Sequence, residues 1–212
     1  MNLSKRSIVL LSPMLIMVVN IVVALVFGDI IGKWAFIPII LIEWGLFLFF
    51  IARYKEKDSI NQWLKKAEGS WGWNVLAVLI GLIPLGLFIA HWQTLSPWTV
   101  WLPWIILALI NPWLEEFYWR GLLSDYTSNW PTWGSILFTT AFFSANHAVF
   151  GINSELNSGP EIIVSTFIMG LIWAIVYFKT KSLRWCIFSH FLVDFLNLSA
   201  AAFLDLFPKT AW

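Results

Sequence analysis

The chain has 212 residues, of which 59% are hydrophobic and only 12% are charged. Soluble domains carry charge on about a quarter of their residues, so this composition excludes an ordinary soluble protein. The formal net charge is +1, which leaves no basic surplus for binding nucleic acid. Cys186 is the only cysteine, so the chain has no intrachain disulfide and no thiolate metal cage.

Apolar runs along the chain predict membrane-crossing helices, because about 20 apolar residues span a bilayer. Their predicted bounds are 7–27, 34–52, 72–90, 97–119, 131–150, 162–178 and 185–207. The predicted fold class is therefore an all-α, polytopic transmembrane helix bundle with about seven spans, within a range of six to eight. We expect one membrane domain over 1–212, in which 1–96 holds spans without motifs and 97–207 holds the catalytic module.

Lysine and arginine in the short loops predict the orientation of the bundle. Basic residues concentrate at the N-terminus and in 53–70, 120–130 and 179–184. The other three turns, 28–33, 91–96 and 151–161, hold almost none. Because cytoplasmic loops carry the excess of positive charge, the N-terminus is predicted to be cytoplasmic.

Ionisable residues inside the predicted spans are few, and each costs about 2.5–3.5 kcal/mol to insert. They are Glu43, Glu115, Glu116, His147, His190 and Asp194, with Arg120 and Asp205 nearer span ends. All but Glu43 and Asp205 fall between 115 and 194, and this clustering predicts a functional site. Glu43 has no motif around it, so a partner on a neighbouring helix is favoured over a catalytic role.

The first motif is Glu115-Glu116-Phe-Tyr-Trp-Arg120-Gly. On a helix, Glu116 and Arg120 are i and i+4 on one face, with the acid N-terminal to the base, which predicts a structural ion pair. Glu115 points about 100° away and has no sequence-local cation. A buried carboxylate without a cation can act as an acid or base, so Glu115 is the predicted catalytic carboxylate.

Two histidine motifs follow on later spans. His147 ends the stretch Phe-Ser-Ala-Asn-His and shares a helix face with Phe143. His190 and Asp194 are i and i+4, so the carboxylate is predicted to accept from one imidazole nitrogen and to orient the ring. Asn197, at i+7 from His190, extends the same polar stripe.

In this order, the three motifs resemble the CPBP family of CAAX prenyl endopeptidases and bacteriocin-processing enzymes, also called the Abi family. The resemblance covers about 111–198, and the short chain is similar to prokaryotic members. It implies an intramembrane endopeptidase that cuts a membrane-associated peptide or protein, with the site accessible from the cytoplasmic side of a cell membrane.

The resemblance also implies roles for the residues of the three motifs. Glu115 would activate the attacking water with His147, and His190 with Asp194 would form or support the oxyanion site. Glu116 and Arg120 would hold the site together.

The sequence leaves both the metal and the function class open. A glutamate-dependent hydrolase without a cofactor is favoured, while Glu115, His147 and His190 would suit a three-ligand zinc site. The alternatives to a peptidase are a non-enzymatic bacteriocin-immunity or binding protein and a proton-coupled transporter. The oligomeric state is not predicted.

Overall fold

A computed structural model describes residues 4–209, and every regular element within them is helical. The α-helices are α1 (Lys5–Ile31), α2 (Phe36–Tyr54), α3 (Ser59–Trp63), α4 (Gly72–Gly81), α5 (Leu85–His91), α6 (Trp98–Glu116), α7 (Leu123–Tyr126), α8 (Thr132–His147), α9 (Pro160–Thr180), α10 (Arg184–Leu196) and α11 (Ser199–Phe203). A π-helical segment, Phe117–Leu122, joins α6 to α7. Three further turns are 3-10 helices: Gly32–Ala35, Trp92–Leu95 and Ala148–Ile152.

Two of the predicted spans are interrupted in the structure. The third span is divided into α4 and α5 just before Pro84, whose ring lacks the N–H that would continue the helix. The last span is divided into α10 and α11 at Leu198, whose φ of 57° lies in the left-handed region. Both interruptions matter for the site, because the residues around them line its cavity.

Four helical segments of the described chain are long and apolar enough to cross a membrane. They are Lys5–Tyr54, Gly72–Leu95, Thr132–Ile152 and Pro160–Thr180. The first of these contains both α1 and α2. The 13 residues of α10 rise only about 20 Å, which is too short for a bilayer crossing without α11. The count of seven spans therefore stays a prediction.

The basic segments lie together at one end of the bundle, which we call the basic end (residues 4–6, 53–70, 120–130 and 179–184). The backbone N–H of Leu183 donates to the carbonyl of Trp63 at 2.7 Å. The hydroxyl of Tyr126 donates to the carbonyl of Tyr54 at 3.0 Å, and Arg6 contacts Asn129.

The segments poor in basic residues meet at the other end, which we call the opposite end (residues 28–33, 91–96, 151–161 and 204–209). Lys33 forms an ion pair of 2.8 Å with Asp205. The Asp205 carboxylate also accepts from the hydroxyl of Ser154 at 2.6 Å. Between the two ends, α10 packs against α4 and α6, while α9 packs against α8 and α4.

Candidate active site

A cavity of about 290 Å³ lies inside the bundle and collects the predicted catalytic residues from three helices. It is lined by the predicted catalytic side chains Glu115, His147, His190 and Asp194, and by Asn197. The two residues predicted to hold the site together, Glu116 and Arg120, are fully buried and lie outside this lining. The sequence-predicted site thus has a surface facing the cavity and a layer behind it.

The layer behind the cavity is an ion pair enclosed by aromatic rings. Arg120 donates from Nη1 to Glu116 Oε1 at 2.9 Å, which is the i, i+4 pair that the sequence predicts. Its guanidinium lies 4.1 Å from the ring centroid of Phe143 and 5.5 Å from that of Trp173. Both charges are inaccessible to solvent, so their attraction is weakly screened.

Two glycines allow the close packing around this layer. A Cβ on Gly170 of α9 would lie 2.8 Å from both Arg120 Nη2 and the Phe143 ring. A Cβ on Gly121 would lie 2.8 Å from the indole of Trp63. The glycine that ends the Glu-Glu-x-x-x-Arg-Gly motif is therefore explained by the ring packed over it, on the π-helical turn that also carries Arg120.

His190 connects the buried layer to the cavity. Its Nδ1 lies 3.0 Å from Glu116 Oε1, and its ring stacks on Trp173 with centroids 4.5 Å apart. Because a carboxylate paired with arginine can only accept, Nδ1 carries the proton. The Nε2 atom lies 3.8 Å from Glu115 Oε2 and 3.7 Å from Asp194 Oδ1.

The geometry differs from the predicted hydrogen bond between Asp194 and His190. The i, i+4 spacing does bring Asp194 beside His190, but 3.7 Å is beyond hydrogen-bond range. Glu116, on a different helix, accepts from the imidazole instead. Helix periodicity relates only residues on the same helix. The acceptor of the His190 imidazole is Glu116, which lies on α6.

Asn111 is a site residue that the sequence reasoning missed. Its Nδ2 donates to Glu115 Oε1 at 3.2 Å and to Asp194 Oδ2 at 3.1 Å. Its Oδ1 accepts from Trp44 Nε1 at 2.8 Å. An amide therefore bridges the two carboxyl groups that face the cavity. Its position one helical turn before Glu115, on the same helix face, could have predicted this contact from the sequence.

His147 reaches the cavity from the end of α8 with a defined tautomer. Its Nδ1 lies 2.8 Å from the carbonyl oxygen of Phe143. Because a carbonyl only accepts, Nδ1 must donate, and Nε2 of the neutral ring is left as an acceptor. The side chain is partly exposed rather than sealed in the core.

Glu43 also lines the cavity, from α2. Its Oε1 accepts from Asn20 on α1 at 3.3 Å and from Asn146 on α8. These are the neighbouring-helix partners that the sequence favoured for Glu43. Asn20 and Asn146 themselves were missed, although Asn20 interrupts an apolar run and Asn146 immediately precedes His147.

The zinc alternative requires Glu115, His147 and His190 to converge on one point. Within residues 4–209, no three or more His, Cys, Asp or Glu side chains are arranged to hold a metal ion.

The helices that carry these side chains lie within a part of the chain that matches a known protein family. Residues 96–196 match the family model for type II CAAX prenyl endopeptidases, Rce1-like. This chain carries an Rce1-like domain. The match confirms the resemblance to the CPBP family, since it contains all three motifs from Glu115 to Asp194.

The Rce1-like domain together with the membrane-length helices makes this an integral membrane protein with a membrane-endopeptidase domain. No curated protein and no solved structure matched the chain.

Proposed function

We propose that this protein is an intramembrane endopeptidase in which Glu115 and His147 activate water and His190, supported by Asp194, stabilises the oxyanion. The observation that carries the proposal is the shared cavity, which brings three motif side chains from α6, α8 and α10 to one surface within the Rce1-like domain. The substrate is a peptide bond of a membrane-associated peptide or protein.

Glu115 is suited to accept a proton from water. It is buried, and Asn111 holds its Oε1, but its Oε2 has no hydrogen-bond partner within residues 4–209. An unpartnered carboxylate oxygen on a cavity wall is a place for a water or for the substrate. In the reaction, water attacks the peptide carbonyl, Glu115 takes its proton, and that proton passes to the leaving amine.

His147 supplies a second acceptor for the same water. The carbonyl of Phe143 fixes its Nδ1 as the donor, so Nε2 is available to orient or accept a water proton. Two acceptors on different helices hold an attacking water in a defined direction, which lowers the entropic part of the barrier.

His190 is suited to stabilise the negative charge that develops on the carbonyl oxygen. Glu116 and Trp173 fix the ring, so an Nε2–H would project toward the cavity without reorganising during the reaction. Asp194 is an acceptor when ionised and cannot itself donate to an oxyanion. Its proposed role is to favour the protonated form of His190 from 3.7 Å away.

The same proposal includes seven spans with the basic end in the cytoplasm. The hydrogen bonds that join the basic segments to each other, and the separate contacts among the remaining loops, agree with this alternation. Asymmetry of lysine and arginine then sets the orientation.

The proposal is tested by assaying purified protein in detergent on a quenched-fluorescence peptide that carries a prenyl-cysteine motif. Wild type is compared with Glu115→Ala and with Glu161→Ala, an exposed acid at the start of α9. Cleavage by wild type and Glu161→Ala, but not by folded Glu115→Ala, supports the peptidase. A Glu115→Ala variant that cleaves at the wild-type rate overturns it.

A chelator arm separates the two mechanisms. Activity that resists a strong chelator supports the glutamate-dependent mechanism. Activity that the chelator removes and added zinc restores keeps the enzyme and overturns that mechanism. If wild type is inert on a panel of prenylated and unprenylated peptides, the binding-protein alternative is the better reading.

A further inference from the structure

Glu43 is a buried carboxyl group of the cavity that the proposed reaction does not use. It lies on α2, is 1% exposed, and lines the same cavity as Glu115. The match to the Rce1-like family model begins at residue 96 and therefore does not include Glu43. An ionisable side chain inside a membrane span is costly to insert, and spans that retain one usually have a use for it.

One oxygen of this carboxyl group belongs to a ring of hydrogen bonds that joins three helices. Glu43 Oε1 accepts from Nδ2 of Asn20 on α1 at 3.3 Å and from Nδ2 of Asn146 on α8. Asn20 Nδ2 also donates to Asn146 Oδ1 at 3.1 Å, which closes the ring. Both asparagines are at most 1% exposed. Through Oε1 alone, Glu43 therefore ties α1, α2 and α8 together beside the cavity.

This ring does not explain why residue 43 is an acid. The amide oxygen of a glutamine could accept the same two hydrogen bonds without carrying a charge. Within the described residues, Glu43 forms no ion pair, and no hydrogen bond reaches its second oxygen, Oε2. A buried carboxyl group on a cavity wall, with no cation and one oxygen unused, is suited to bind a donor that enters the cavity.

Glu43 lies beside the groups that are proposed to react. The next residue, Trp44, donates from Nε1 to Asn111 Oδ1 at 2.8 Å. Asn111 in turn holds the Glu115 carboxylate, which is one helical turn further along α6. Glu43 and Glu115 also interact electrostatically. A peptide whose scissile bond lies at Glu115 therefore has one of its two halves beside Glu43.

The two products of peptide hydrolysis differ in what they offer to Glu43. Water adds to the carbonyl carbon and the C–N bond breaks, which near neutral pH leaves a carboxylate on one product and an ammonium on the other. The carboxylate only accepts hydrogen bonds, and a second carboxylate in a medium of low dielectric constant repels it. The ammonium carries three donors and a positive charge, so it is the product that complements Glu43.

We propose that Glu43 forms a subsite for the amine side of the cleaved bond, where its Oε2 accepts from the amino terminus that cleavage creates. The inference rests on the proposed peptidase function. It also fixes the direction of the substrate in the cavity, because the half that follows the scissile bond lies toward α2. The subsite recognises a primary ammonium, a group that every product of peptide hydrolysis shares, rather than a particular side chain.

Product inhibition tests this subsite. The probe is the C-terminal product of the quenched-fluorescence peptide, made once with its ammonium and once with a neutral hydroxyl of nearly the same size in its place. The assay is run at pH 7, below the α-amino pKa of about 7.7–8.0. For wild type, the inhibition constant of the ammonium form is expected to be about tenfold or more lower, the range of a charge-assisted hydrogen bond.

Glu43→Gln is expected to abolish this preference, so that the two forms inhibit to the same extent. The glutamine Oε1 still accepts from both asparagines, whereas its Nε2 takes the place of Oε2 and donates instead of accepting. The melting temperature of this variant should therefore stay close to that of wild type. A folded Glu43→Gln that keeps the wild-type preference for the ammonium overturns the subsite.

Asn20→Ala is the matched control, because it removes a donor to Oε1 and leaves Oε2 and the charge in place. It should lower the melting temperature by about 2 °C or more, since buried hydrogen bonds are lost, and should keep the preference for the ammonium. If Asn20→Ala loses the preference as completely as Glu43→Gln, the ring of hydrogen bonds is responsible rather than Oε2, and the subsite is wrong.

The wild-type comparison is decisive even if Glu43→Gln fails to fold. Wild type that cleaves the peptide but is inhibited equally by the ammonium and hydroxyl forms overturns the subsite and leaves the peptidase proposal intact. Wild type that cleaves no peptide of the panel rejects the peptidase and the subsite with it.

Discussion

Glu115 and Glu116 are consecutive, equally buried carboxylates with opposite surroundings. Glu116 shares its Oε1 between Arg120 at 2.9 Å and His190 at 3.0 Å, behind the cavity wall. Glu115 lines the cavity, and its Oε1 is held by the neutral amide of Asn111. Its Oε2 has no hydrogen-bond partner within the described residues and lies 3.8 Å from His190 Nε2.

These two environments suit different roles: Glu116 holds neighbouring side chains in place, and Glu115 is placed to take part in the reaction. Glu116 is held by two donors on its Oε1 and lies outside the cavity lining, so it has no access to a substrate or an attacking water. A carboxylate held by an amide keeps its position while remaining able to take up a proton. The 100° rotation between consecutive helix residues is what lets one turn of α6 serve both purposes.

The largest expected effect is the loss of cleavage in Glu115→Gln, which keeps the shape of the side chain and removes its basicity. We expect the turnover number to fall by about 10³-fold, the range of general acid–base catalysis. The melting temperature, followed by the fluorescence of the 16 tryptophans, should not decrease. A stable variant with wild-type turnover contradicts the assignment of Glu115.

Glu116→Gln is expected to have the opposite profile, in which the main effect is a loss of folding stability. Removing the charge leaves the Arg120 guanidinium buried and unpaired, at a cost of about 3–5 kcal/mol in the free energy of unfolding. The matched control is the double variant Glu116→Leu/Arg120→Met, which removes both charges and should recover much of that stability. It should stay inactive, because His190 loses its acceptor. Recovery of activity in the double variant contradicts the positioning role of Glu116.

The different surroundings of Glu115 and Glu116 could be predicted in part from the sequence. Contacts within one helix were predictable, whereas contacts between helices were not. The Glu116–Arg120 pair and the free Glu115 followed from helix periodicity, because both concern neighbours on one helix. The partner of His190 and the bridge from Asn111 to Asp194 join different helices, and no spacing rule relates them.

The same limit explains the remaining differences. Helix positions could be predicted from apolar runs, but the effect of Pro84 on the third span depends on where its two halves pack. Trp173, which stacks on His190, is indistinguishable in sequence from the tryptophans at span ends. The burial of side chains at the basic end comes from packing between distant segments, such as Trp63 over Gly121.

A smaller effect is expected from Asn111→Ala, which removes the amide bridge but leaves every ionisable group of the site. The two carboxyl groups lose their common donor, and misplacement of Glu115 should lower turnover by about 10²-fold. Trp44→Phe is the control, since it removes only the donor to Asn111 Oδ1 and should have a weaker effect. If Trp44→Phe is as damaging as Asn111→Ala, the amide bridge is not what positions Glu115.

The smallest expected effect tests a carboxylate far from the cavity, Asp205, which lies beyond the end of α11. Partial burial pushes the pKa of Asp205 upward, but hydrogen bonds from Lys33, Ser154 and the backbone of Leu156 and Glu155 outweigh it, so the pKa is lowered. Asp205→Asn keeps the side-chain volume and removes the charge. It should lower the melting temperature by about 2–4 °C near pH 7 without changing turnover.

The pH dependence of this difference is the decisive measurement. Because the pKa of Asp205 is lowered by folding, its stabilisation is present above the ordinary aspartate pKa of about 3.9 and is lost as the pH falls through the folded value. The gap in melting temperature between wild type and Asp205→Asn should therefore close below about pH 4. Glu155→Gln, an exposed neighbour in the same loop, should show no such gap at any pH. If the difference in melting temperature persists unchanged in acid, Asp205 stabilises the loops of the opposite end through its shape and hydrogen bonds rather than through its charge.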